Sequence, residues 1–233
     1  MTTNTMEPNE VRPRSTKTKA YKGLGMEGFV AKWYAKNTAN SMNDFRTDAR
    51  RVAALLAPGA KVLEVAPGPG YFAIELAKLG NYPITGLDIS KTFVEIAQKN
   101  AAQAGVRAEF RHGSVSNMPF ESDQFDFLFC RAAFKNFSEP VRALQEMQRV
   151  LKAGGRALIV DLRRDASLEA INEAVSRMRL GIFSRVFTRL AFRLMLLKRA
   201  YTKCEFEQLL TQTQFRSTGI EETLIGMDIW LEK

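Results

Sequence analysis

The middle of the chain alternates between two periodicities. Short apolar runs at 61–66 (KVLEVA), 83–88 (PITGLD), 106–111, 125–130 (FDFLFC) and 156–162 (RALIVDL) are separated by segments of helical spacing. All five read as strands, KVLEVA as a buried one and FDFLFC as apolar enough to be buried on both faces. Strands joined through helices require right-handed crossovers and a parallel sheet. Ser90 is placed to cap a helix carrying Phe93, Ala97, Ala101 and Ala104 on one face, with Gly105 past its end. Ser138 and Pro140 open another, with Leu144, Met147 and Leu151 inward and Gly154-Gly155 as its stop. Two helices are expected over 26–57, the second with Phe45, Ala49, Val52 and Leu56 at helical spacing before Pro58-Gly59. After the fifth strand the rhythm breaks into a helical insert at 166–200. Thr202 and Glu205 form a T-x-x-E capping box. The β-like runs 215–223 and 224–231 then follow with almost no connection, so they must be antiparallel. The expected fold is α/β: a doubly wound, seven-stranded, mostly parallel sheet of Rossmann-like type with an antiparallel last strand.

At 233 residues the chain fits one domain, here 21–233, behind a polar, basic and disordered tail at 1–20. Two cysteines and one histidine exclude a disulfide scaffold and a Cys/His zinc cluster, and no metal site is expected. No apolar stretch approaches bilayer length and the N-terminus lacks an apolar signal core, so a cytoplasmic protein is expected. The net charge is +9, and the segment Arg177–Lys203 holds eight basic residues with no Asp or Glu. The charge is therefore local, which argues against a nucleic-acid coat. Arg185, Arg189 and Arg193 form one stripe, with Phe183, Val186, Phe187, Leu190, Leu194 and Leu197 opposite. That pattern suits a lid over an apolar substrate, a peripheral membrane contact, a partner helix, or a core helix with solvated arginines.

The densest chemical signal is Val62-Leu63-Glu64-Val65-Ala66-Pro67-Gly68-Pro69-Gly70, a strand entering a glycine turn and a helix. Glycines there permit positive φ and close backbone approach to a ligand. Asp88 ends the next strand, 18 residues past Gly70, where a carboxylate can accept both hydroxyls of a ribose. Gly68-x-Gly70-x-x-Ala73 also satisfies the dinucleotide fingerprint, so an NAD(P)-dependent oxidoreductase is one alternative. Glu64 inside the first strand opposes it, because a carboxylate repels a pyrophosphate and favours an ammonium or sulfonium. A non-catalytic cofactor-binding or membrane-adaptor protein is another.

VLEVAPGPG resembles the first motif of class I S-adenosylmethionine-dependent methyltransferases, with Glu64, Gly68 and Gly70 matching and Ala66 in place of the first glycine. GLDIS at 86–90, HGSVSNMPF at 112–120, FDFLFC at 125–130 and RVLKAGGRALIVD at 149–161 resemble the following motifs in order. Ser114 stands where the family usually has an aspartate. The resemblance implies S-adenosylmethionine as cofactor. Glu64 would serve its methionine part and the turn Ala66–Gly70 would lie from methionine to ribose. Asp88 would hold the ribose, Ile89 would flank the adenine, and Ser114 and Val115 would meet the adenine edge. Cys130 and Arg131 would line the methionine side, and Tyr34, with Tyr21, would close over the cofactor. The run Phe134-Lys135-Asn136-Phe137 is similar to the Arg-Asn segment of the ubiquinone and menaquinone C-methyltransferases. It makes Lys135 the candidate catalytic group, a cation that stabilises a phenolate or enolate. The implied acceptor is a small apolar or aromatic molecule. Methyl transfer needs alignment and exclusion of water more than a base, and His112 is not placed as one.

Overall fold

The computed structural model describes residues 21–22, 26–38, 42–177 and 197–233. Its strands are β1 (Val62–Val65), β2 (Ile84–Asp88), β3 (Glu109–His112), β4 (Phe125–Arg131), β5 (Leu151–Leu162), β6 (Ser217–Glu222) and β7 (Gly226–Glu232). They form one sheet in the order β3-β2-β1-β4-β5-β7-β6. Strands β1 to β5 are parallel, and β7 runs antiparallel to both β5 and β6. The helices are α1 (Gly28–Thr38), α2 (Met42–Ala53), α3 (Tyr71–Ala77), α4 (Lys91–Gln103), α5 (Pro140–Val150), α6 (Leu168–Arg177) and α7 (Lys203–Leu210). Strand order grows outward from β1 toward β3 and then restarts on the other side at β4. The crevice at the carboxyl ends of β1 and β4 is the topological switch point, where open α/β sheets bind ligands.

Alternation along the central strands divides the core between the two faces. Leu63, Val65, Leu128 and Cys130 pack on one side, against α5 and α7 residues such as Leu144, Met147 and Phe206. Val62, Phe127 and Phe129 pack on the other, against Phe72 of α3 and Ala97 of α4. The rings of Phe72 and Phe129 stack with centroids 3.8 Å apart. Burying one such side chain contributes roughly 1.5–3 kcal/mol, so these two layers fix the positions of the strand ends.

Local signals explain most element boundaries. The Ser90 hydroxyl accepts the Phe93 N–H at 3.1 Å and starts α4. Thr202 and Glu205 complete both halves of the capping box on α7. Four expectations need correction. α5 ends at Val150, and Gly154-Gly155 lie inside β5 rather than stopping the helix. Leu151 already pairs with Phe125, the chain loops outward, and pairing resumes at Arg156 with Phe127. Gly155 serves that loop, since a Cβ there would sit 2.8 Å from the Lys152 carbonyl oxygen. The N-cap of α5 is Glu139, not Ser138. β3 begins at Glu109, and Ala104 is exposed rather than on the buried face of α4.

The expected tail at 1–20 and most of the basic insert, including Phe183, Arg185, Arg189 and Arg193, lie outside the described residues. Among the described residues no helix is long and apolar enough to cross a membrane.

Candidate cofactor-binding site

Glu64, next to last in β1, and Asp88, last in the adjacent β2, stand on either side of the glycine turn. Glu64 is 3% exposed, and its carboxylate accepts a single hydrogen bond, from the Ala73 N–H at 3.1 Å. Burial pushes its carboxyl up to about 8, against the pull of that N–H, and the nearby Asp88 charge adds to the rise. A buried carboxylate with so little compensation is the complement of a cation. Asp88 accepts the Ser90 N–H at 2.8 Å on one oxygen and the Gly68 N–H at 3.0 Å on the other. Burial raises it to about 6, opposed by those two N–H groups. A carboxylate has about four lone-pair sites, so each oxygen keeps one acceptor direction for a hydroxyl.

The turn between them is held from three sides. The Ala66 N–H donates to the Leu87 carbonyl at 2.8 Å, and the Gly70 N–H donates to the Pro67 carbonyl at 3.0 Å. The Asn100 amide of α4 donates to the Pro69 carbonyl at 2.9 Å. The two glycines differ. Gly70, at φ 78°, has no room for a side chain, because a Cβ would lie 2.9 Å from Ala97 Cβ and from Phe110 Cζ. Gly68, at φ 54°, faces open space, with nothing within 4 Å of a Cβ. Gly70 therefore serves packing, and Gly68 leaves a face free for a ligand. Ala66 takes φ 55° without being glycine, a left-handed conformation that costs about 1–2 kcal/mol.

The adenine-side candidates are gathered past Asp88. Ile89 is 39% exposed, an apolar surface beside the carboxylate. His112 holds the Ile89 carbonyl at 3.1 Å, which is its role here. Ser114 is half-buried and its hydroxyl accepts the Ser116 N–H at 3.2 Å. Val115 is buried in the core, so only its backbone is available to an adenine edge. Tyr34 of α1 meets Phe93 of α4 edge-on at 5.8 Å. The start of α1 is fastened to the same helix: Glu27 accepts the Lys91 and Thr92 N–H groups, and the Ser90 hydroxyl donates to the Met26 carbonyl at 2.6 Å.

Residues expected on the methionine and acceptor side are placed differently from the expectation. The Cys130 side chain is fully buried in the core, and burial pushes its thiol well up, so it walls the site without facing it. The Arg131 guanidinium turns away to α2, pairing with Asp48 and, at 3.7 Å, with Asp44, and lies over the Phe45 ring. It anchors α2 to the sheet end. Lys135 is neither a surface lysine nor a free cation: it is 3% exposed, and its ammonium donates to Asp161 Oδ1 at 2.8 Å and to the Ala132 carbonyl. Asp161 Oδ2 accepts the Lys135 backbone N–H at 2.8 Å. Lys135 thus clamps the one-turn 3-10 helix Phe134–Asn136 onto the end of β5, its ammonium engaged by Asp161 and the Ala132 carbonyl rather than free as the expected catalytic cation would be. Arg163 and Arg164, close to Asp161 in sequence, pair outward with Asp165 and Glu222 and with Glu205.

The sequence reading missed Asn100, Glu27 and the clamp role of Asp161. An acidic residue at the carboxyl end of β5 was the available signal for Asp161. Tyr21 joins the site from the N-terminal side. It bridges antiparallel to Phe137, and burial raises its phenol, with Arg199 opposing and Tyr34, Asp88 and Asp161 adding to the rise.

The donor set fits S-adenosylmethionine: an undercompensated buried carboxylate for its cationic end, a backbone turn open on the Gly68 side, and a carboxylate with free acceptor directions for a ribose. The fold and the site resemble those of class I S-adenosylmethionine-dependent methyltransferases, and residues 63–159 match the family model described as a methyltransferase domain. Demethylmenaquinone methyltransferase of Thermotoga maritima is 41% identical over 103 residues, 44% of this chain and 43% of that protein. The uncharacterized methyltransferase YcgJ of Bacillus subtilis is 37% identical over 102 residues, 43% of this chain and 40% of that protein. These matches span less than half the length of each curated relative. A solved SAM-dependent methyltransferase from Aquifex aeolicus superposes with a TM-score of 0.62 at 20% identity, covering 79% of this chain and 89% of that one.

Proposed function

We propose that the chain transfers a methyl group from S-adenosylmethionine to a small apolar or aromatic acceptor. The observation that carries this reading is the Glu64–Gly68–Asp88 arrangement at the switch point of the sheet. S-adenosylmethionine, when bound, supplies an electrophilic methyl on a sulfonium that is displaced in line. Glu64 attracts the cationic end and ionises as it does so. The turn at Ala66–Gly70 orients the chain of the donor, and Asp88 fixes the ribose. Since positive charge disperses during transfer, the protein's remaining task is to align the acceptor and exclude water.

An aromatic substrate is supported by two half-buried rings on the acceptor side, Tyr201, which packs on the buried Phe134 at 5.8 Å, and Tyr21, which bridges to Phe137. The likeness to a demethylmenaquinone methyltransferase points the same way. Among the described residues no side chain in the site is placed as a strong base, so an acceptor that is already ionised, or that loses its proton to water, suits it best. The test is methyl transfer from tritium-labelled S-adenosylmethionine to a panel of hydroquinones and phenols, with aliphatic amines and short RNAs as controls. Label in the aromatic fraction is the expected result. Label confined to amines or RNA would overturn the acceptor class.

A further inference from the structure

A second concave surface lies on the rim of the site, and its chemistry is unlike that of the cofactor crevice. It is a groove of about 440 Å³ bordered by Lys22, Arg164, Lys198, Arg199, Tyr201 and Glu205. Its cations come from three separate stretches of chain: Lys22 beside Tyr21, Arg164 just past β5, and Lys198 and Arg199 on the approach to α7. Glu205 is the single carboxylate of the lining, and it is already engaged by the Arg164 guanidinium and by the Thr202 N–H at 2.9 Å. Lys22, Lys198 and Arg199 then have no carboxylate partner among the described residues. Like charges gathered on one concavity repel each other, and a bound anion removes that cost.

The groove is also built rather than incidental. Lys22 is fixed at both ends: its backbone N–H donates to the Asn136 carbonyl at 2.7 Å, and its ammonium donates to the Tyr201 hydroxyl at 3.1 Å. Tyr201 is fixed in turn, with its carbonyl accepting the Arg164 N–H at 3.1 Å and its ring packed on Phe134. Asn136 and Phe134 belong to the 3-10 turn that borders the acceptor side, and Tyr21, next to Lys22, senses both Arg199 and Asp88. Tyr201 is the aromatic side chain of the groove lining and stands among its cations.

Resting on the proposed methyl-transfer reading, the geometry points to an anion subsite at Lys22, Lys198, Arg199 and Tyr201 that takes the phosphate, diphosphate or carboxylate group of the acceptor. It confers specificity for an aromatic or apolar acceptor carrying such a group at one end. The same chemistry is offered by an anionic lipid headgroup, so the experiment separates the two sources.

Inorganic pyrophosphate is titrated by calorimetry into the full chain, into Lys22→Met and into the double variant Lys198→Met/Arg199→Met, each with S-adenosylhomocysteine binding measured on the same preparation. The expected result is saturable pyrophosphate binding that weakens at least 5-fold in Lys22→Met and at least 10-fold in the double variant, and that falls with added salt. S-adenosylhomocysteine binding is unchanged in both. Absent pyrophosphate binding, or binding equal in all three proteins, overturns the subsite while S-adenosylhomocysteine binding keeps the methyltransferase reading intact. Loss of S-adenosylhomocysteine binding by the unaltered chain would instead remove the reading on which the subsite rests. Vesicles of phosphatidylcholine with 30% phosphatidylglycerol form the second arm. Binding that pyrophosphate displaces and the variants lose assigns the site to a headgroup. No vesicle binding beside intact pyrophosphate binding assigns it to a soluble acceptor. Vesicle binding insensitive to the variants counts against the subsite as the anion-recognising surface.

Discussion

Glu64→Gln isolates the electrostatic cost that the site carries before any ligand arrives. Burial raises the Glu64 carboxyl from an ordinary 4.5 to about 8. Between those values the folded chain keeps the proton while the unfolded chain has released it. The folded state therefore binds more protons, and stability falls as pH rises. At 1.36 kcal/mol per unit, the loss is about 3 kcal/mol by pH 7 and levels off above pH 8. Glutamine reproduces the neutral form, with an oxygen still able to accept the Ala73 N–H, and has no proton to lose. Urea unfolding of both proteins is therefore expected to give equal stabilities near pH 4.5, with the variant more stable by about 3 kcal/mol at pH 7. The same proton links to binding. With Glu64 in its proposed role at the cationic end of S-adenosylmethionine, binding requires the carboxylate ionised, so wild type is expected to release a proton on binding at pH 7 and to bind more tightly as pH rises toward 8. A stability difference between the two proteins that is the same at pH 5 and pH 8 would refute the reasoning.

Two further perturbations separate packing from binding. Gly70→Ala places a methyl 2.9 Å from Ala97 and Phe110 at φ 78° and is expected to cost about 2–4 kcal/mol of stability. Gly68→Ala meets nothing within 4 Å, so it should cost only about 1–2 kcal/mol while weakening S-adenosylhomocysteine at least ~10-fold; unfolding midpoints and calorimetry on both variants check the contrast. Lys135→Met leaves Asp161 buried without its counter-charge and is expected to cost about 3–5 kcal/mol, whereas Lys135→Met/Asp161→Leu should recover much of that loss. A single variant within ~1 kcal/mol of wild type would show that the pair does not clamp the turn.

The sheet was legible because strand and helix periods differ and each crossover left its own signals: Ser90 before α4, Thr202 and Glu205 before α7, and the tight connection that makes β6 and β7 antiparallel. Glu64, Gly68 and Asp88 were legible for the same reason, since each sits at a strand end or turn that the alternation had already located. What the sequence hid was pairing across distance. Nothing local to Lys135 says that Asp161, 26 residues away, takes both its ammonium and its backbone N–H. Nothing local to Arg131 says that Asp48 of α2 draws its guanidinium away from the crevice. Cys130 was placed on the right strand, but the choice of face depends on register, and its face is the one under α5 and α7. Gly154-Gly155 shows a different failure. The pair reads equally as a helix stop or as a loop within a strand, and the pairing of Leu151 with Phe125 decided between them.

The central claim is that Asp88 and the turn beside it hold the ribose end of S-adenosylmethionine. Calorimetric titration of S-adenosylhomocysteine into wild type and Asp88→Asn, with NADH as the competing ligand and an unfolding curve for each protein, tests it most directly. Two hydrogen bonds to a charged group contribute about 1.5–3 kcal/mol each. The account therefore predicts one-to-one binding to wild type, no response to NADH, and a loss of about 10²–10⁴-fold in a folded Asp88→Asn. Equal binding by the two proteins, or a preference for NADH, would contradict it.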